Sequence, residues 1–127
     1  MITEGLHGSA DLQVGAQDTA LALGSGEAEV LGTPRVLALA EAATVAATAG
    51  ELERGSTTVG TEIALSHLAA SAVGARVRAE AHLRRVDGRR LFFDVTVAQQ
   101  DGGAELARGT VERVVVDRTR FTAAARS

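Results

Sequence analysis

The sequence of 127 residues contains no cysteine. Disulfide bonds, thiolate metal sites and a cysteine nucleophile are therefore excluded. Aromatic residues are scarce, with three Phe and no Tyr or Trp, so platforms for stacking nucleobases are not expected. Positive charge is not in excess either. The formal net charge is −3 at pH 7, whereas nucleic-acid binding usually calls for a basic face.

Long apolar runs are also missing. No run reaches the roughly 18 residues that a membrane-spanning helix needs, and residues 1–10 lack the basic start and apolar stretch of a signal peptide. We therefore expect a cytoplasmic protein with no membrane partner. The 46% of residues that are hydrophobic suffice for one core in a single domain over residues 1–127. Because that core is built of small aliphatic side chains, a partner subunit that buries more surface is expected.

One segment has a clear helical pattern. Thr33 is suited to capping a helix N-terminus, and Pro34 is suited to the first helical position. From Pro34 to Ala49 almost every residue is apolar, and Gly50 is expected to end the helix. A helix that is apolar on nearly every side is typically buried on nearly every side.

Most of the remaining sequence predicts β-strands, because apolar and polar residues alternate with a period of two. The alternation is sharpest at 76–84, which is typical of a half-buried antiparallel strand. Within 57–68, we place His67 on the same face as the apolar residues. That predicted face comprises Val59, Thr61, Ile63, Leu65 and His67. The predicted strands, including a weak strand region ahead of the helix, are 11–14, 19–23, 57–68, 76–84, 91–98 and 105–116.

Turns and the C-terminal tail complete the assignment. Asp87-Gly88 predicts a two-residue hairpin turn, and Asp101-Gly102-Gly103 predicts the next turn. Residues 118–127 are expected to form a frayed tail. The resulting order is a strand region, one buried helix and four strands in a meander. This order predicts an α+β hot-dog fold, in which a curved antiparallel sheet wraps around one long buried helix. The alternative is another α+β fold with the helix packed on one open face.

Glu41 is the first candidate for chemistry. It is the only ionisable residue between Val36 and Gly50, on a helix that is otherwise apolar. A buried carboxylate must be paired, hydrogen-bonded or protonated. Glu41 is therefore either a functional carboxylate in a pocket or a sign that this part of the helix reaches a surface or a subunit boundary.

Thr33 and His67 are the other candidates. Besides capping the helix, Thr33 lies beside unpaired backbone amides that are suited to polarising a thioester carbonyl. Thr33 and Glu41 are two turns apart and about 80° apart around the helix, so both are expected to border one pocket. His67 is either a core residue or a base and orienting donor near neutral pH. His7, in an expected flexible start, and His82, which faces outward among charges, carry less weight.

Several short segments of the chain resemble the fluoroacetyl-CoA thioesterase family of hot-dog proteins. The resemblance extends over about residues 31–116. The threonine, glutamate and histidine of that family's catalytic triad match Thr33, Glu41 and His67 without gaps in the intervals. The matching segments are Gly32-Thr33-Pro34, Leu39–Ala43, Gly55–Thr61, Ser66–Ala70, Val86–Leu91 and Gly109–Arg113.

The resemblance implies a homodimer with active sites along the subunit boundary. It also implies hydrolysis of an acyl-CoA to the free acid and CoA-SH, with no metal and no other cofactor. Thr33 and Glu41 then act as nucleophile or water activator, and His67 is their acid/base and orienting partner. Gly60 matches a glycine whose backbone lies against the acyl group and can hold the thioester carbonyl.

The chain departs from the family at the acyl pocket. Family members have Phe residues before the threonine, which gate a small fluorinated pocket, whereas residues 27–32 contain no Phe. A tryptophan after the glutamate is Ala42 here, and the histidine of a Gly-Thr-His segment is Val111. We therefore expect the same reaction on a larger acyl group. The alternatives are a non-catalytic acyl-thioester-binding protein of a biosynthetic pathway and, less favoured, a hot-dog hydratase.

The arginines Arg84-Arg85 and Arg89-Arg90 flank the predicted hairpin turn. Such a cluster is suited to holding the phosphates of CoA. A solvated hairpin edge, where charge discourages aggregation of sheets, explains the same arginines. No grouping of His, Asp and Glu has convincing metal-ligand spacing.

Overall fold

In the computed structural model, which describes residues 1–126, five antiparallel strands form one curved sheet. Their order across the sheet is β1-β3-β4-β5-β2, so β1 and β2 are its two edges. A long helix, α2, lies on the concave face and packs mainly against β1 and β3. The elements are β1 (His7–Gln13), a 3₁₀ turn (Ala16–Asp18), α1 (Ala20–Leu23), α2 (Thr33–Ala47), β2 (Ser56–His67), β3 (Arg76–Asp87), β4 (Arg90–Gln99), β5 (Glu105–Asp117) and α3 (Arg118–Ala124).

The core lies between α2 and the central strands. The alternation predicted for β3 and β4 is confirmed, since every second residue of each is buried against the helix. Close approach of the helix requires Gly8, because a Cβ there would collide with the backbone of Ala47. The buried apolar residues of α2, β3 and β4 are Val36, Leu39, Ala40, Ala43, Ala47, Val77, Ala79, Ala81, Leu83, Leu91, Phe93, Val95 and Val97.

The helix differs from its sequence prediction at both ends and on one side. Gly32 occupies the N-cap position without a side-chain hydrogen bond, so Thr33 is the first helical residue and does not cap the helix. The helix ends at Ala47, ahead of the expected end near Gly50. The prediction that the helix is buried on nearly every side is wrong for one chain, because the side that carries Val45 is exposed. Within residues 1–126, no helix has the length and apolarity needed to span a membrane.

The region ahead of α2 contains one strand, and the second strand predicted at 19–23 is wrong. The first strand begins at His7, so this residue is not in a flexible start. Residues 20–23 form the short helix α1, because the Thr19 hydroxyl accepts a hydrogen bond from the Ala22 amide at 3.1 Å. A local cap of this kind competes with strand pairing.

A β-bulge changes the inward face of β2. The pairing with β5 shifts between Gly60 and Glu62, so Thr61 is an extra residue. Before the bulge, Gly60 faces the helix, and after it the inward positions run from Ile63 to His67. The predicted face is therefore wrong for Val59 and Thr61, although it is right for His67.

The C-terminal segment is helical where fraying was expected. The Asp117 carboxylate accepts a hydrogen bond from the Arg120 amide at 2.9 Å and caps α3. Ser127 of the predicted tail lies outside the described residues. The β3–β4 loop is Gly88-Arg89, one residue later than the predicted turn, with Gly88 at a φ of 60°.

Candidate active site

The structure joins Thr33 to His67. The Thr33 Oγ1 atom lies 2.8 Å from His67 Nδ1, which is hydrogen-bonding distance between residues 34 positions apart in the chain. Thr33 is exposed at the start of α2, and His67 ends the inward row of β2. A hydroxyl held on an imidazole nitrogen, and open to a ligand, is the arrangement in which a histidine activates a nucleophile.

The second nitrogen of the imidazole has no partner in the chain. His67 Nε2 is buried and makes no hydrogen bond within residues 1–126. A buried polar atom without a partner costs free energy and needs an explanation, such as a ligand or another subunit. His67 is therefore satisfied on one side only.

Glu41 belongs to a second polar group, which Arg113 organises. The Arg113 guanidinium donates to Glu41 Oε2 at 2.9 Å, to Thr58 Oγ1 at 2.9 Å and to the Thr58 carbonyl oxygen at 3.0 Å. The Arg113 side chain is 7% exposed, whereas the Glu41 side chain is 31% exposed. Each of the three guanidinium nitrogens thus has a partner, and one of them fixes one carboxylate oxygen while part of the carboxyl group stays accessible.

Gly60 leaves the space that the carboxylate occupies. A Cβ at this position would lie 2.5 Å from Glu41 Oε2, so a side chain there would displace the carboxylate. Gly60 and Arg113 are cross-strand partners, which brings the glycine backbone, the guanidinium and the carboxylate together at one point of the sheet. The predicted proximity of Gly60 to the reacting group is compatible with this position.

Within one chain, Glu41 lies apart from the Thr33–His67 pair. Eight residues of helix separate Thr33 from Glu41, which is about 12 Å along the axis. On the strand, Gly60 and His67 are seven residues apart, which is about 20 Å of extended chain. The convergence of the three side chains on one cavity therefore stays a prediction.

The helix start offers fewer free amides than the sequence suggests. The amides of Arg35 and Val36 both donate to the Gly32 carbonyl, and Pro34 has no N–H. Fewer amides are therefore free to polarise a carbonyl than the sequence predicts. The Thr33 amide is the one that lies next to the Thr33 hydroxyl.

Two clefts of the described chain are lined by other residues. One, of about 490 Å³, is on the outer face, where the His7 and His82 rings stack with centroids 4.6 Å apart. The other, of about 860 Å³, lies beyond the C-terminal end of α2, next to the β3–β4 hairpin. Neither lining includes Thr33, Glu41 or His67.

Arg113 and Thr58 were not among the candidate site residues predicted from the sequence. The usable pattern is in β5, where residues 107, 109, 111, 113 and 115 alternate inward and only Arg113 among them is charged. The single cation on the apolar face of β5, Arg113, forms an ion pair with the single anion on the apolar helix, Glu41. Since buried charges occur in pairs, each of the two residues predicts the other.

The arginines near the hairpin lie among counter-charges and an aromatic ring. Arg84 pairs with Asp94 at 3.1 Å, and the guanidinium groups of Arg85 and Arg90 lie 4.1 and 5.1 Å from the centroid of the Phe92 ring. The Arg90 Nε donates to Glu112 Oε1 at 2.8 Å and holds the pKa of Glu112 below its ordinary value. Arg84, Arg85 and Arg90 thus have local partners on the outer face.

Comparison with known proteins assigns the family. The model of a family described as fluoroacetyl-CoA-specific thioesterase matches residues 14–119. The chain is a member of that family. Over 98 residues it is 41% identical to the fluoroacetyl-CoA thioesterase of Streptantibioticus cattleyicolor, with 77% of this chain and 69% of that protein covered.

Solved structures agree with this family. The structure of a fluoroacetyl-CoA thioesterase superposes with a TM-score of 0.89 at 36% identity, covering 99% of this chain and 96% of that one. A Thermus thermophilus protein described as a thioesterase superfamily member gives 0.88 at 25% identity, covering 99% and 92%. A hot-dog-like protein of Thermanaerovibrio acidaminovorans gives 0.85 at 23% identity, covering 98% and 90%, and supports the fold alone. The predicted hot-dog fold and the predicted class of enzyme, a thioester hydrolase, are confirmed.

Proposed function

We propose that this thioesterase-family chain acts as a homodimer that hydrolyses acyl-CoA through Thr33, His67 and the partner's Glu41. The observation that carries the proposal is the 2.8 Å contact between an exposed threonine hydroxyl and an imidazole whose other nitrogen is buried without a partner. In a hydrolytic triad the imidazole joins a nucleophile to an acid. Within one chain, the imidazole of His67 contacts the Thr33 hydroxyl but has no acid as a partner for its second nitrogen.

The open edge of β2 supports the dimer. β2 is an edge strand of twelve residues, and a long unpaired edge favours pairing with a second chain. If two copies pair antiparallel about a two-fold axis near Ile63 and Ala64, Gly60 of one chain lies opposite His67 of the other. The partner's Glu41, which adjoins the partner's Gly60, then approaches His67 Nε2. Two equivalent sites result, as two-fold symmetry requires.

The proton path follows from these contacts. With the Thr33 hydroxyl donating to Nδ1, the neutral imidazole carries its proton on Nε2 and donates it to the partner's Glu41. The partner's Arg113 holds the other part of that carboxylate, so the imidazole is oriented by a group that is itself fixed. The thioester carbonyl is placed against the backbone of the partner's Gly60 and the Thr33 amide, where donors can stabilise a developing oxyanion.

Two routes to products fit this arrangement. In the covalent route, the Thr33 oxygen attacks the carbonyl carbon as His67 takes its proton. The C–S bond then breaks, the CoA sulfur receives that proton, and water hydrolyses the acyl-threonine ester. In the direct route, the partner's Glu41 takes a proton from water, which attacks the carbonyl carbon while Thr33 and His67 orient the groups. The C–S bond then breaks, and the CoA sulfur receives the proton from the partner's Glu41. Thr33→Ala abolishes turnover in the first route and only slows it in the second.

The acyl group is inferred to be larger and more apolar than fluoroacetyl. Residues 27–32 contain no Phe, and α1, which packs beside Gly32, carries two exposed leucines. Leu21 is 50% exposed and Leu23 is 42% exposed, and Leu23 packs against Gly32 just ahead of Thr33. Exposed leucines beside a candidate nucleophile favour an aliphatic acyl chain, whose burial is stabilising.

The experiment is a panel of acyl-CoAs, from acetyl and fluoroacetyl to decanoyl, assayed for released thiol. We expect kcat/KM to rise with aliphatic chain length. We expect Glu41→Gln to reduce kcat by about a thousandfold. Glu80→Gln, an exposed residue on the outer face, is the matched control and should keep full activity. Binding of acyl-CoA without thiol release would instead identify a non-catalytic acyl-thioester-binding protein.

Location and other partners stay predictions. The sequence favours the cytoplasm and gives no reason to expect a nucleic-acid or membrane partner. Fractionation of the native host, with a cytoplasmic marker enzyme as reference, checks the location.

A further inference from the structure

The cleft beyond the C-terminal end of α2 is the larger of the two clefts, at about 860 Å³. Its walls come from the loop after α2, the β3–β4 hairpin, the end of β5 and α3. Three exposed arginines from three of these segments line it: Arg54, Arg89 and Arg120. A cleft that gathers cations from separate parts of the chain is suited to an extended anion.

These arginines are available to a ligand. None of the ion pairs found within residues 1–126 includes Arg54, Arg89 or Arg120. Acids also line the cleft, but two of the three have other partners. Glu51 lies 3.9 Å from the N-terminal ammonium, and the Asp117 carboxylate caps α3. Guanidinium groups form paired hydrogen bonds with phosphate, which is why arginine predominates at such sites.

The cleft adjoins the group that holds the carboxylate. Its lining includes Leu91 and Val115, whose cross-strand partners are Arg113 and Thr58 respectively. Arg113 donates to Glu41. The lining of the cleft is therefore one cross-strand residue pair away from the group that holds the candidate catalytic carboxylate. From Glu41 to the end of α2 at Ala47 is six residues, about 9 Å along the axis. A thioester carbonyl placed at Glu41 can therefore direct its thiol portion along this path.

We propose that Arg54, Arg89 and Arg120 bind the phosphate groups of the nucleotide portion of CoA. The inference rests on the proposed acyl-CoA hydrolysis. CoA carries a diphosphate and a 3′-phosphate, which matches three separate guanidinium groups, whereas an acyl carrier protein offers one phosphodiester. The outer-face arginines are less available, because Arg90 is paired with Glu112 and Arg85 lies over the Phe92 ring.

The test compares two substrates with the same acyl group, an acyl-CoA and the corresponding acyl-pantetheine, which lacks every phosphate. For acyl-CoA, we expect each single alanine substitution in the cleft to raise KM about three- to tenfold. The triple variant should raise it about a hundredfold, with kcat within about twofold. The KM for acyl-pantetheine should not change. Arg76→Ala removes an exposed arginine at the other end of the sheet and is the matched control.

Calorimetric titration with CoA and dephospho-CoA makes the inference testable apart from catalysis. Tight CoA binding by the wild type that the triple variant loses supports the cleft, even if no thioester is hydrolysed. Hydrolysis that persists with an unchanged KM for acyl-CoA in the triple variant overturns it. A rise in KM with Arg85→Ala but not with the cleft variants places the nucleotide over Phe92 and also overturns it. Failure of the wild-type protein to bind CoA also overturns the inference.

Discussion

Glu112 and Arg113 are neighbours on β5, yet their ion pairs lie on opposite faces of the sheet. On the outer face, Glu112 pairs with Arg90, whose side chain is 56% exposed. On the inner face, Arg113 is 7% exposed and makes three hydrogen bonds, one of them to Glu41. In the outer pair the arginine is exposed and the Glu112 side chain is 13% exposed, whereas in the inner pair the arginine is buried and the Glu41 side chain is 31% exposed.

This comparison shows that position in the fold decides what a charge does. Exposed ion pairs contribute little to stability, because solvent screens them and ordering the side chains costs entropy. A buried guanidinium that loses its partners leaves charges and polar atoms uncompensated. We therefore expect activity to depend on the inner-face groups more strongly than on the outer-face groups.

The two histidines give the largest expected difference between the faces. We expect His67→Ala to lower kcat about a thousandfold, because the Thr33 hydroxyl loses the group that takes its proton. His82→Ala removes an imidazole from the outer face and should leave kcat unchanged. Released thiol measures both, and far-ultraviolet circular dichroism checks the fold. Equal loss in the two variants would contradict the distinction.

The two arginines give the next difference. Arg113→Met should destabilise the protein by about 3 kcal/mol, because Thr58 and Glu41 lose their buried donor. It should also lower kcat about a hundredfold by releasing the carboxylate. Arg90→Met should leave kcat unchanged and lower the stability only slightly. Urea unfolding and thiol release measure the two quantities, and a stable, fully active Arg113→Met variant would refute a positioning role.

Gly60→Ala should have a smaller effect. Its Cβ would meet the movable end of the Glu41 side chain, so we expect the carboxylate to shift while the backbone stays in place. The expected result is about a tenfold loss of kcat with an unchanged melting temperature. Reduced stability with full activity would mean that Gly60 serves the fold alone.

The smallest effect concerns the pH dependence of the outer pair. Arg90 lowers the pKa of Glu112 below its ordinary value of 4.5. A depressed folded-state pKa stabilises the protein above the unfolded-state pKa, and this stability is lost as pH falls through the folded-state value. A slight decrease in melting temperature of Arg90→Met at neutral pH should therefore disappear in strong acid. A difference that grows in acid would contradict the assignment.

Much of the fold could be predicted from the sequence, because periodicity reports which face of an element is buried. The alternation in β3 and β4 and the apolar run of α2 were sufficient for the hot-dog arrangement. Local hydrogen bonds were the main source of error. The Thr19 hydroxyl caps α1 where a strand was predicted, and Asp117 caps α3 where a frayed tail was predicted.

The candidate site was predictable only in part. Glu41 stood out as a charge on an apolar helix, and His67 as an inward imidazole. The bulge at Thr61 was hidden, because an extra residue leaves the sequence alternation looking continuous while it reverses the faces. The separation of Glu41 from His67 was also hidden, since it depends on how the helix crosses the strand.

The most direct test of the central claim mixes two inactive variants, Glu41→Gln and His67→Ala, under conditions that let subunits exchange. If each site takes Glu41 from one chain and His67 from the other, a mixed dimer contains one intact site. An equimolar mixture should then recover about a quarter of wild-type activity. A mixture that stays as inactive as its components, although mass spectrometry detects the mixed dimer, would show that the site does not combine residues of two chains.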